Sequence, residues 1–186
     1  GLLDWLTPFS LFTGVGLVVA YALLGATWLI MKSEGRLQQR MRRIARPVLL
    51  TLLFVIAAVS LWTPLIHPMV AARWFALPNL ILMSPVPILV VVTAGFLFMA
   101  LRRETSHRTP FVMTLGLLFL GYSGLAISLW PNIIPPSHTI WQAASPSESL
   151  GFTLVGALFI IPFILGYTAW SYYVFRGKVR PGEGYH

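Results

Sequence analysis

An all-α transmembrane bundle of five helices follows from three features of this chain: five long apolar runs, basic residues gathered in alternate connectors, and a mean hydropathy of +0.79. With 57% of its 186 residues hydrophobic, the chain carries more apolar side chain than a soluble domain of this size can bury. The surplus needs lipid as its solvent. The runs lie at about 7–31, 47–66, 79–101, 110–130 and 150–175, and none contains Asp, Glu, Lys, Arg or His. Each reaches the ~20 residues that carry a helix across ~30 Å of hydrocarbon. Backbone polar groups in hydrocarbon must be satisfied within their own segment, and a barrel would show alternating polarity over short strands instead, so the runs are helices.

The elements follow in order. Thr7-Pro8, Arg46-Pro47 and Thr109-Pro110 each place proline where a first-turn N–H has no partner, and so mark the starts of the first, second and fourth helices. Ser145-Pro146-Ser147-Glu148 reads as a capping box, with Ser145 accepting from the backbone at Glu148, so the fifth helix begins ahead of its apolar core. Pro85, Pro87 and Pro162 fall inside the third and fifth runs and are expected to kink them. Between the first two runs, Ser33 to Ala45 places Leu37, Met41 and Ile44 at helical spacing beneath a basic face, which predicts a short amphipathic helix lying along the membrane surface. Gly16 with Ala20, Ala22 with Ala26 and Gly124 with Ser128 are spaced four apart and mark close helix contacts. No repeat or low-complexity stretch divides the chain, so residues 1–186 are expected to form one helical domain.

Charge gives the orientation. The net charge of +8 would suggest nucleic acid, but basic and aromatic residues are not interleaved on one polar surface. They are separated into apolar spans and basic connectors, which points to a membrane with anionic headgroups. Lys32, Arg36, Arg40, Arg42, Arg43 and Arg46 precede the second run, Arg102, Arg103 and Arg108 the fourth, and Arg176, Lys178 and Arg180 follow the fifth. Only Arg73 lies elsewhere. Five crossings put those three segments on one side, predicted to be cytoplasmic, with the first residues outside. Trp62, Trp74, Trp130 and Trp141 in or beside the outer connectors fit an interfacial aromatic belt.

Chemistry is sparse. There is no cysteine, which excludes disulfides, thiolate metal sites and cysteine nucleophiles. No ionisable acid, base or histidine lies at membrane depth, where pumps and ion-coupled transporters place them. Tyr21, Tyr122, Tyr167, Tyr172 and Tyr173 read as interfacial anchors. A haem needs an axial His, Met, Cys or Tyr over its iron. His67 and His138 read as loop histidines, and Met31, Met83, Met99 and Met113 as flexible core fillers, so none is assigned to iron. Asp4, Glu148 and Arg73, the outer charges, read as solvated groups. No catalytic, cofactor-binding or metal residue is assigned.

The ordered residues nevertheless resemble a family. Thr7-Pro8-Phe9-Ser10-Leu11, Gly25-Ala26-Thr27-Trp28-Leu29, Leu61-Trp62, Trp130-Pro131-Asn132-Ile133-Ile134-Pro135-Pro136-Ser137 and Tyr167-Thr168-Ala169-Trp170-Ser171-Tyr172 are similar to the C-terminal part of subunit II of cytochrome bd quinol oxidases, closest to the cyanide-insensitive branch. The resemblance covers the whole chain and implies one subunit of a heterodimeric, electrogenic respiratory oxidase of the bacterial inner membrane that oxidises quinol and reduces dioxygen to water. It further implies that b-type and d-type haems sit mainly in subunit I, which this chain scaffolds. Subunit II of that family has about eight helices and opens on an acidic segment tied to proton or oxygen access. The present chain begins with Gly1 rather than Met, shows no signal peptide and has five spans, so it reads as the C-terminal piece of a longer subunit, and no proton-path residue is carried over. The competing expectations are a small-molecule permease lined by kinked third and fifth helices, and a membrane anchor without chemistry.

Overall fold

A computed structural model describes residues 6–66, 68–77, 79–134 and 137–178. The chain divides into two compact units, one running through Ser128 and the other from Leu129 to Lys178. Among the described residues five helices are long and apolar enough to cross a membrane, which bears out the helical bundle.

In the first unit, α1 spans Pro8–Lys32 and opens as its sequence dictates. Thr7 takes an extended conformation and its Oγ1 accepts from the Ser10 backbone N–H at 3.1 Å, while the Ser10 hydroxyl accepts from the Thr7 N–H at 2.9 Å. Because Pro8 has no N–H, this satisfies two of the three unpaired amides of the first turn. Gly35, at φ +65°, turns the chain out of α1, a conformation that glycine adopts without a Cβ clash. Helix α2 then runs Gly35–Ile66.

That continuity corrects two expectations. Arg46-Pro47 does not start the second helix, because Pro47 lies within α2, and Ser33–Ala45 is no separate surface helix but the first turns of the same one. Pro47 removes one backbone hydrogen bond, a cost of about 3 kcal/mol in an ordinary helix. It is offset here by the burial of Arg42, Ala45, Leu49, Leu52 and Val55 along one face. Leu37 and Ile44 are exposed, and Met41 packs on the core. The buried face instead carries Arg42, Ala45 and Leu49, at spacings of three and four.

Helices α1 and α2 pack closely because Gly16 has no side chain: a Cβ there would meet Val55 Cγ1 at 2.5 Å. Gly16 and Ala20 are both buried, as their spacing predicts. Trp62 of α2 lies edge-on to Phe9, with ring centroids 5.6 Å apart, and tilted against Phe12 at 6.0 Å. Beyond α2 come a short α3, Pro68–Phe75, and α4, Asn79–Met83, which ends at a turn at Ser84 before α5, Pro85–Arg102. The third span runs Asn79–Arg102 and is interrupted only at Ser84, whose backbone stays helical at φ −56° and ψ −28°, so the irregularity falls at Pro85 and Pro87 as expected. Helix α6, Thr109–Leu129, begins where Thr109-Pro110 predicts.

The core joins four helices: Leu23 and Ile30 of α1, Leu49 of α2, Leu97 and Leu101 of α5 and Leu117 of α6 are fully buried or nearly so. Thr27 and Thr114 are buried among them, and their hydroxyls donate to the Leu23 and Pro110 carbonyls one turn back. Neither is left unsatisfied in an apolar interior.

In the second unit, Asn132–Ile134 and His138–Thr139 form a small antiparallel pair, β1 and β2, which the all-helical expectation did not include. Trp130 and Trp141 meet edge-to-face at 5.5 Å beside it. Helix α7, Ser147–Val174, begins ahead of its apolar core as expected. The capping box does not form: the helix starts one residue later than that motif requires, and its N-cap is Pro146, which has no side-chain acceptor. Glu148 in the first turn still faces the positive end of the helix dipole. Pro162 is accommodated inside α7, and none of the helix's residues is buried.

Candidate functional site at the α5–α6 connector

The densest polar structure among the described residues lies where α2 meets the connector between α5 and α6. Arg42 is only 4% exposed. Its Nη1 donates to the carbonyls of Ala100 at 3.1 Å and Arg103 at 2.8 Å, and its Nη2 to Glu104 at 3.2 Å and to Ser106. One turn on, Arg46 Nη2 donates to Leu101 at 3.2 Å, while its Nε is buried without a partner among the described residues. One turn back, Gln38 Nε2 donates to the carbonyls of Ile30 and Ser33 at 2.8 and 2.9 Å and meets His107 Nδ1 at 3.1 Å. Gln38, Arg42 and Arg46 are successive i, i+4 positions on one face of α2.

The acceptors explain the arrangement. The last carbonyls of a helix have no partner within it and carry its negative partial charge. Ala100 and Leu101 are in the last turn of α5, and Arg103, Glu104 and Ser106 are in the connector that follows. A planar guanidinium with five N–H donors satisfies several such carbonyls at once, which a lysine ammonium cannot do with the same geometry. Arg42 lies ahead of the apolar run at 47–66. Its pKa is lowered from the ordinary arginine value mainly by burial, with the charge of Glu104 opposing the shift and that of Arg46 adding to it. The guanidinium stays charged, and its charge is spent on backbone carbonyls rather than on a carboxylate.

Beside this clamp, α5 and α6 border an open groove of ≈610 Å³. Phe96, Met99, Ala100 and Arg103 line it from α5 and its C-cap at the i, i+3, i+4, i+7 positions of one face. Thr105, Ser106, Thr109 and Met113 close the other side.

The sequence places Arg42 and Arg46 in a basic connector at the membrane surface and gives Gln38 no role. The signal that marks them was present: a charge at position 42 on the face that continues through Ala45 and Leu49 is a charge on the inward side of an amphipathic helix. Of the residues weighed for haem, His138 stands exposed on β2. Met31, Met83 and Met113 are half-buried, and Met99, with Met113, borders only the open groove. Among the described residues no three His, Cys, Asp or Glu side chains come together. Tyr21, Tyr122, Tyr167, Tyr172 and Tyr173 are exposed, with Tyr173 stacked on Trp170 at 6.1 Å and under the Arg176 guanidinium at 4.0 Å. Glu148 is exposed in the first turn of α7. Trp74 Nε1 donates to the Ser128 hydroxyl at 3.0 Å, tying α3 to the small-residue pair of α6. Asp4, His67, Pro135, Pro136, Arg180 and the side chain of Arg73 lie outside the described residues.

The chain is 26% identical over 186 residues to "Cytochrome bd ubiquinol oxidase subunit 2" of Bacillus subtilis, covering 97% of this chain and 53% of that protein. It is 27% identical over 203 residues to "Cytochrome bd-I ubiquinol oxidase subunit 2" of Escherichia coli K12, covering 94% of this chain and 53% of that protein. The chain thus spans about half the length of the curated relatives it matches. The model of the family described as cytochrome bd terminal oxidase subunit II matches residues 1–175, nearly the whole chain, and the protein therefore belongs to that family.

Proposed function

We propose that this chain forms a five-span portion of subunit II of a quinol-oxidising, oxygen-reducing terminal oxidase, and that it acts as a helical scaffold for a haem-bearing subunit I. The observation that carries the proposal is the family match along residues 1–175. The geometry supports it. The core cluster of the first unit is apolar, and the buried Thr27 and Thr114 hydroxyls and the Arg42 guanidinium are satisfied by backbone carbonyls, an arrangement suited to holding helices in place. In this reading the b-type and d-type haems and the site of quinol oxidation belong mainly to subunit I, and electrons pass from quinol to dioxygen there. The reaction is electrogenic. The chain lies in the bacterial inner membrane with its basic connectors in the cytoplasm. Residues 1–186 act as a single helical domain of that subunit.

The test is co-purification with activity. The native complex, isolated from membranes through a tag on this chain, is expected to contain a larger subunit and to consume oxygen when supplied with quinol. Isolation of the chain without a larger subunit, in a preparation without quinol-dependent oxygen uptake, overturns the proposal.

A further inference from the structure

The groove between α5 and α6 has the chemistry of a site for one class of ligand. Its α5 wall is an apolar stripe, Phe96, Met99 and Ala100, that ends in the cation Arg103, and Met113 faces it from α6. Phe96 and Met99 are 56% and 46% exposed, so the stripe is open to whatever fills the groove. Beyond the stripe the lining turns polar, with the hydroxyls of Thr105, Ser106 and Thr109 around the Arg103 end. Thr109 is also the first residue of the 21-residue α6, so the polar end lies at a positive helix terminus.

The electrostatics of that end depend on Arg42. The carbonyls of Ala100, Arg103 and Ser106, all lining residues, would present the negative end of α5 and its connector to an anion. Arg42 donates to each of them from behind the groove. What remains along the groove is the positive terminus of α6, the lining residues Thr105, Ser106 and Thr109, and Arg103, which has no carboxylate within ion-pair distance among the described residues. Glu104, the nearest acid in sequence, is exposed and does not line the groove.

We propose that this groove is a specific site for an anionic glycerophospholipid, with its phosphate at Arg103, Ser106 and Thr109 and an acyl chain along Phe96, Met99 and Met113. A zwitterionic lipid presents the same phosphate but carries a cation next to it, which meets Arg103 unfavourably. Discrimination between the two is therefore the signature of the site rather than of a general lipid belt. The basic connectors place this end where anionic headgroups gather. The inference rests on the geometry of the first unit and is independent of the oxidase chemistry.

Native mass spectrometry of the intact complex, delipidated and then titrated with phosphatidylglycerol or phosphatidylcholine of the same acyl chains, tests it. Phosphatidylglycerol is expected to bind in preference, and Arg103→Gln to weaken its binding about tenfold, the loss of one charge-assisted hydrogen bond. Arg36→Gln, an exposed arginine away from the groove, is expected to leave the preference unchanged. Met113→Trp, which fills the apolar end, is expected to reduce retention of both lipids. Equal binding of the two lipids, or an Arg103→Gln variant that binds phosphatidylglycerol as well as the parent, overturns the proposal. So does a photocrosslinker at Thr105 that captures a protein chain in place of lipid.

Discussion

Helices α1 and α7 are comparable in length and apolar character, and both are long enough to span a bilayer, yet they differ in every other respect. Helix α1 buries Gly16, Ala20, Leu23, Ala26, Thr27 and Ile30, whereas α7 buries nothing. The difference teaches that hydropathy selects the solvent of a helix but not its neighbour. Water is excluded from both sides of a helix–helix contact in a membrane, so apolar character supplies no preference for one partner over another. What distinguishes α1 is shape, in the form of a glycine opposite Val55, and its place next to a polar clamp that fixes the ends of its neighbours. Gly151, Gly156 and Gly166 of α7 have no such partner: a Cβ on any of them would meet no atom within 4 Å.

The comparison is broken most severely by removing the clamp. Arg42→Ala leaves the Ala100 and Arg103 carbonyls without their donor in a protected site, and the expected loss is about 3 kcal/mol or more, at ~1.5–3 kcal/mol for each charge-assisted bond. Arg42→Lys restores charge but not the fork, and is expected to recover less than half. Thermal unfolding of the detergent-solubilised protein measures both. An Arg42→Ala variant as stable as the parent would show that water replaces the guanidinium at no cost.

A smaller effect separates the two kinds of glycine. Gly16→Ala forces a methyl into Val55 and is expected to destabilise by about 1–3 kcal/mol. Gly156→Ala meets nothing and is expected to be neutral or to stabilise by up to ~1 kcal/mol through helix propensity. Equal effects in the same unfolding assay would remove shape as the distinguishing factor.

Helix starts give the mildest contrast. Thr7→Ala removes a capping side chain and is expected to cost about 1 kcal/mol, whereas Ser145→Ala, one residue outside the N-cap of α7, is expected to change stability by less than ~0.5 kcal/mol. Hydrogen exchange of the first-turn amides, faster in Thr7→Ala and unchanged in Ser145→Ala, reads this locally.

These same positions show how far the fold could be read in advance. The five spans were legible because a run of ~20 apolar residues has one physical outcome in a bilayer. The starts at Thr7 and Thr109 were legible because capping is local, decided by residues three or four apart. Arg46-Pro47 carried the same local signal and was misleading, since α2 continues through Pro47 with one face buried against distant parts of the chain. The clamp was hidden for the same reason: an arginine in a basic connector looks solvated until the connector it satisfies is known. The irregularity at Ser84 was legible because Pro85 and Pro87 remove backbone donors from the middle of an apolar run. The groove was invisible in sequence, since its two walls meet only in the folded chain.

The central claim, that this chain holds a haem-bearing partner in place without ligating haem itself, is tested most directly by haem content per chain. Reduced-minus-oxidised visible spectra would be recorded for the chain expressed alone and for the same chain purified with its partner. The account predicts b-type and d-type bands only in the complex, diminished when Arg42→Ala loosens the scaffold. Stoichiometric haem on the chain expressed alone would contradict it.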